Sequence, residues 1–189
     1  MGNERIVIIS GPSGVGKSTV VSQLLDRSPV PMVLSISATT REPRVGEIDF
    51  QNYIFLSDDD FQLRRDNGDF LECKEVFGRG YWYGTLKSTV ESGHSDGKWV
   101  LLEIDVEGAI AVKQQKPDTI MIFLHPGSMG TLEQRLRDRN TDSEDSIQRR
   151  LEVARNEIGK SNLYDHIIEN KTINDTVNQI CDVLKRLAG

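Results

Sequence analysis

Nine consecutive positions, Gly11-Pro12-Ser13-Gly14-Val15-Gly16-Lys17-Ser18-Thr19, combine glycines, a lysine and hydroxyls directly after the apolar run RIVIIS. Gly11, Gly16, Lys17 and Ser18 satisfy G-x-x-x-x-G-K-[ST], and the match lies between a predicted strand and a predicted helix, the context that gives the pattern meaning. Glycines let the backbone curl so that successive N–H groups point inward at phosphate oxygens, and the helix N-terminus adds partial positive charge. Lys17 would bridge the β and γ phosphates of a nucleoside triphosphate, and Ser18 would offer its hydroxyl to Mg²⁺. Switches, motors and kinases share such a loop, so the acceptor of the phosphate must be sought elsewhere in the chain.

Two further arginine groups supply cations. Arg41 and Arg44 flank Pro43 in a loop after a predicted strand, and rigid guanidinium forks on a stiffened loop suit a second phosphate. The same residues are equally compatible with a solvated surface loop. Farther on, Arg135, Arg137 and Arg139 lead into NTDSED, and Arg149, Arg150 and Arg155 follow on a predicted helix. Arg135 and Arg139 stand four apart and share a helical face. Asp138, Glu144 and Glu152 interleave with these cations, so a plain charged face is the alternative, and it is the reading taken for Arg137 and Arg155.

The elements that must position these groups alternate in type. Strand RIVIIS leads through the glycine loop to a helix over STVVSQLLDR, and strand MVLSIS follows. In the middle, IDFQNYIFL, FLECKEVFG and YWYGT read as short antiparallel strands, with a helix near 58–66 entered by Ser57 and an acidic first turn. Alternation then resumes with strand KWVLLEID, helix EGAIAVKQQ, strand TIMIFL, helix TLEQRLRDR, helix SIQRRLEVARNEI, strand HIIE and a final helix over TINDTVNQICDVLKRL. The expected fold is α/β: a three-layer P-loop architecture with a mainly parallel central sheet, a small inserted mixed or antiparallel subdomain and a helical lid. Ligands should lie outside the strand C-termini.

Bulk properties are compatible with this. At 189 residues with net charge −6, the chain is expected to be one ordinary soluble domain, and its acidic balance argues against a protein that coats nucleic acid. Cys73 and Cys181 lie far apart without CxxC spacing, and the three histidines are scattered, so neither a disulfide framework nor a zinc site is expected. There is no membrane-spanning run and no signal-peptide pattern, which points to the cytoplasm.

Taken in order, SGPSGVGKST, SISATTREPRVGE, DFLE, YGT, LLEIDVEGA and RLRDRNTDSEDSIQRRL resemble the guanylate kinases, from about Ile6 to the last helix. The resemblance implies transfer of the terminal phosphoryl of ATP to GMP, and to dGMP, with Mg²⁺, in purine nucleotide metabolism. It makes Gly11, Pro12, Ser13, Gly14, Val15, Gly16, Lys17, Ser18 and Thr19 the ATP loop. By the same likeness Ser37 and Thr85 contact guanine O6, Glu72 accepts from guanine N1–H and N2–H₂, and Arg41, Arg44, Tyr53 and Tyr83 hold the GMP phosphate. Asp105 would lie near the guanine amino group and, through water, the magnesium shell beside Ser18. Arg139 and Arg150 would approach the transferring phosphoryl from the lid, completing with Lys17, Arg41 and Arg44 the catalytic set. The implied division is a core of about 1–35, 98–138 and 160–189, a GMP-binding subdomain of about 36–97 and a lid of about 139–157, in a monomer or small homo-oligomer.

The chemistry of the base edge supports Glu72 independently, because guanine offers two adjacent donors where adenine has an acceptor at N1. No general base is needed, since the acceptor is already an anion. The chain departs from the family pattern at Cys73, usually aromatic, in the longer turn FGRGYWYG, at Gly127, at Asn140 and in IIENK, which alters the adenine side. A non-catalytic interaction module of the same fold is the main competing reading, and a P-loop kinase for another phosphorylated small molecule is the second. An intact phosphate loop stands against the module, and the Ser37, Glu72 and Thr85 set stands against the other kinase.

Overall fold

The computed structural model describes residues 5–75, 80–138 and 143–189. Strand β1 (Ile6–Ser10) is buried throughout and lies at the centre of a five-stranded parallel sheet. It pairs on one side with β7 (Trp99–Glu103) and on the other with β8 (Ile120–His125), Ile8 lying opposite Leu102 and Met121. β2 (Met32–Leu34) closes one edge and β9 (His166–Glu169) the other.

Side chains alternate across a strand, so a strand covered on both faces must be apolar at every position. Val7 and Ile9 accordingly join one cluster, with Val20, Val21 and Leu24 of α1 (Lys17–Arg27) and Val177, Ile180 and Leu184 of α7 (Ile173–Ala188). Ile6 and Ile8 join the opposite cluster, with Val90 of α3 (Lys87–Ser95) and Ala109 and Val112 of α4 (Val106–Gln115). This is the three-layer arrangement expected from sequence.

A second, four-stranded mixed sheet stands apart in the order β4-β3-β6-β5. β3 (Ala38–Thr39) runs parallel to β4 (Ile54–Phe55) and antiparallel to β6 (Trp82–Leu86), which pairs antiparallel with β5 (Phe70–Glu75). Its own core joins Ala38, Ile54, Phe70 and Leu86 to Phe61 of α2 (Asp58–Asp66), whose ring stacks on Phe70 at 4.4 Å. Helix α2 begins where the sequence indicates: the Ser57 hydroxyl accepts from the Asp60 amide at 3.1 Å. A fourth cluster, Leu132, Leu136, Ile147, Leu151 and Ala154, joins α5 (Met129–Arg137) to α6 (Glu144–Gly159). Arg137 pairs with Glu133 and Glu144, the surface role expected of it.

Two local expectations fail, and one helix appears where none was expected. The run MVLSIS divides between the two sheets: the Ser35 amide still donates to Leu101 O at 2.9 Å, and the chain then crosses to β3. IDFQNYIFL shrinks to the two residues of β4, because Asp49 Oδ1 accepts from the amides of Phe50 and Phe55 and Asn52 Oδ1 from that of Ile48. Such side-chain acceptors compete with strand pairing for the same donors. Helix α3 has poor helical propensity and was not expected; burial of Val90 against the central sheet outweighs it. Among the described residues, no helix is long and apolar enough to cross a membrane.

Candidate active site

The phosphate loop joins β1 to α1 at the carboxyl end of the sheet. Gly16 immediately precedes α1 with φ at 99°, a conformation that a side chain would resist. The Lys17 ammonium donates to Gly11 O at 2.6 Å and Pro12 O at 3.3 Å, which lays it across the loop. The loop is fastened from behind by residues distant in sequence. The buried Asn170 donates from Nδ2 to Val15 O at 2.7 Å and accepts from Thr176 Oγ1 at 2.9 Å. Arg135 donates to Val15 O at 3.2 Å and to Asn170 O at 2.8 Å. The sequence marks Asn170 only as part of the unusual IIENK and Arg135 only as sharing a helical face with Arg139; it carries no signal for this buttress, which depends on β9 lying beside β8.

Ser18 Oγ donates to Glu103 Oε1 at 2.6 Å. Glu103 ends β7, the strand beside β1, and received no role from the sequence although it lies inside LLEID. Asp105, two residues on, does line the cleft, but its Oδ1 accepts from the Gly108 amide at 2.8 Å, capping α4, and its other oxygen pairs with Lys74. Lys74 also reaches Glu107 at 3.1 Å. Among the described residues, no group of three or more His, Cys, Asp or Glu is arranged around a common point to hold a metal.

A cleft of about 560 Å³ opens between the phosphate loop and the second sheet, with Lys17 on one wall and Ser37, Tyr53 and Glu72 on the other. Glu72 Oε1 accepts from Thr85 Oγ1 at 2.7 Å across the β5–β6 pair. Burial pushes the Glu72 carboxyl up to about 7; the Thr85 hydrogen bond opposes the rise and the neighbouring Asp105 charge adds to it. Glu157, from the far end of α6, faces the same cleft and is likewise raised to about 7 by burial, against the pull of Lys17. No sequence pattern singled Glu157 out.

Arg41 is nearly buried and held on several sides. It donates to Tyr83 Oη at 3.0 Å, to both Glu47 oxygens at 2.9 Å and to Glu42 O at 2.6 Å, and it lies over the Tyr53 ring at 5.4 Å. Tyr53 and Tyr83 meet edge to face at 5.8 Å, and burial raises the Tyr53 phenol. Glu47 also accepts from the Arg44 amide at 2.8 Å, so it organises the whole REPRVGE loop. Fixing a guanidinium in this way leaves little entropy to lose when an anion arrives. A second hollow of about 800 Å³ brings Arg41, Arg44 and Tyr83 of this subdomain to the same space as Arg149 and Arg150 of α6. Arg139, Asn140 and the turn residues 76–79 lie outside the described residues.

Fold and loop together define a P-loop α/β protein with a second, mixed sheet across a cleft from its phosphate loop. The family model described as guanylate kinase matches residues 3–187. The chain is 55% identical to the guanylate kinase of Rhodopirellula baltica, covering 95% of this chain and 87% of that protein. It is 45% identical to that of Prochlorococcus marinus, covering 96% and 97%. A crystal structure of guanylate kinase from Anaplasma phagocytophilum superposes with a TM-score of 0.76 at 32% identity, over 96% of this chain and 85% of that one. The chain belongs to the guanylate kinase family.

Proposed function

We propose that this chain transfers the γ-phosphoryl of ATP directly to GMP, giving ADP and GDP, and accepts dGMP as well. The observation that carries the reading is the placement of Glu72, its carboxylate set by Thr85 in the wall of a cleft whose opposite wall is the phosphate loop. Guanine's N1–H and N2–H₂ form a matched donor pair for that carboxylate, whereas adenine N1 would meet it with a lone pair. Leaving a buried carboxylate unpaired is what makes such sites discriminate by about 10⁴ or more.

In this reading Gly11 to Thr19 hold the ATP phosphates, with Lys17 as the principal cation. Ser37 and Thr85 contact guanine O6, and Arg41, Arg44, Tyr53 and Tyr83 hold the acceptor phosphate. Arg150, with Arg139 beyond the described residues, neutralises charge on the transferring group, an effect of about 10³ or more in rate. Catalysis is then positioning, charge neutralisation and exclusion of water as the α5–α6 hairpin closes.

Mg²⁺ fits the donors present. Ser18 and Glu103 supply adjacent hard oxygens, and this ion keeps most of its waters and takes few protein ligands. Ser18 and Glu103 would hold it, and when bound it would supply positive charge to neutralise the phosphates; Asp105 would act on it only through water. The protein is read as cytoplasmic, monomeric or a small homo-oligomer, and without nucleic-acid or membrane partners. The division into core (about 1–35, 98–138 and 160–189), GMP subdomain (about 36–97) and lid (about 139–157) is supported by the separate cluster around Phe61, although α3 packs on the core and the lid cluster extends back to Leu132.

A coupled assay with ATP and either GMP, dGMP, AMP or UMP tests the reading. GMP should lead by at least about 10³ over AMP in kcat/KM; comparable turnover of AMP would refute it.

A further inference from the structure

We propose that Gly108 is a positioning residue for guanine recognition: its bare α carbon is the seat on which the second oxygen of Glu72 rests. The inference rests on the reading of Glu72 given above and extends it to a residue that touches no substrate. Glu72 has two oxygens to fix. Thr85 Oγ1 holds Oε1 at 2.7 Å. Oε2 lies against the first turn of α4, where a Cβ added at position 108 would come within 2.9 Å of it, within 3.2 Å of Glu72 Cδ and within 3.5 Å of Asp105 Oδ1.

The contact to Asp105 is ordinary, but a Cβ essentially never sits as close as 2.9 Å to an oxygen, so Glu72 Oε2 or the helix would have to move. The backbone of Gly108 is fixed by the helix and by its amide bond to the Asp105 cap at 2.8 Å. The Glu72 carboxylate, at the end of a flexible side chain, is the part that can yield. Alanine at 108 would therefore cost the fold little, since the yielding atom ends a flexible side chain and alanine favours helix more than glycine does. What it would cost is the register between two carboxylate oxygens and two parallel donors on a base, and misplacements well under 1 Å matter at such pairs.

The test compares Gly108→Ala with the unsubstituted protein, alone and in a Glu72→Ala background. Gly108→Ala should raise KM for GMP and the calorimetric Kd for GMP at least tenfold, leave KM for ATP within twofold, retain most of kcat at saturating GMP, and keep or raise the thermal midpoint. In the Glu72→Ala background, where the crowded atoms are gone, adding Gly108→Ala should change GMP binding less than twofold. An unchanged Kd for GMP in the single variant overturns the proposal. So does an equal loss in both backgrounds, and so does a Gly108→Ala protein that fails to fold. GMP turnover by the unsubstituted protein tests the reading of the site, while the contrast between backgrounds tests Gly108, so the two fail separately.

Discussion

Replacing Glu72 by glutamine should make the protein more stable at alkaline pH while spoiling its selectivity, and both halves can be sized. The Glu72 carboxyl stands at about 7 in the folded chain against an ordinary 4.5, chiefly because burial penalises its charge. A folded-state value above the unfolded one means that the native state holds the proton more tightly. That contribution to stability is complete below about 4.5 and is lost as pH rises through about 7. At pH 8 the ionised carboxylate therefore costs up to about 3 kcal/mol relative to the protonated form. Glutamine keeps the acceptor for Thr85 and removes the charge. The variant should gain stability at pH 8, with a rise in Tm of several degrees for a chain of this size. The gain should shrink towards zero near pH 5, where the wild-type carboxyl is mostly protonated.

Binding should move the other way. Losing a charge-assisted bond and turning an amide N–H₂ towards guanine donors should weaken GMP by about 100-fold or more, with ATP within about twofold. For the wild type, GMP affinity should fall as pH drops through about 7, because only the carboxylate accepts both donors, and the variant should lose that dependence. Scanning calorimetry from pH 5 to 8 and titration with each nucleotide give both measurements. A stability gain independent of pH, or equal losses for GMP and ATP, would refute the linkage between burial and recognition.

Other expectations concern the phosphate side. Lys17→Ala should lower kcat by at least about 10³ with circular dichroism unchanged, because the ammonium crosses the phosphate loop; steady-state kinetics check it. Glu103→Gln should raise the Mg²⁺ concentration for half-maximal rate by about tenfold or more, since Ser18 loses its charged partner; a magnesium titration decides. Asn170→Ala should destabilise by about 1–3 kcal/mol in chemical unfolding and weaken ATP more than GMP, because Val15 O and Thr176 lose a buried partner.

Much of this protein was legible before folding. The strand-loop-helix around Lys17 and the apolar strands KWVLLEID and TIMIFL announce themselves locally, because phosphate cradles and doubly covered strands constrain every residue they use. Alternation of 2 and 3.6 residues is a property of the chain alone, and it fixed most elements to within a few residues. What stayed hidden depends on partners far apart in sequence. Glu103 matters because β7 lies beside β1, bringing it to Ser18 across 85 positions. Asn170 matters because β9 completes the sheet next to β8 and turns its amide towards Val15. Asp105 is drawn to Lys74 and the α4 cap, a preference visible only once β5 packs on that helix. Residue types and spacing thus marked the phosphate loop, and the family resemblance supplied the candidates for the purine. The tertiary structure alone decided which carboxylate each cation and hydroxyl meets, because that choice is made by distance through space.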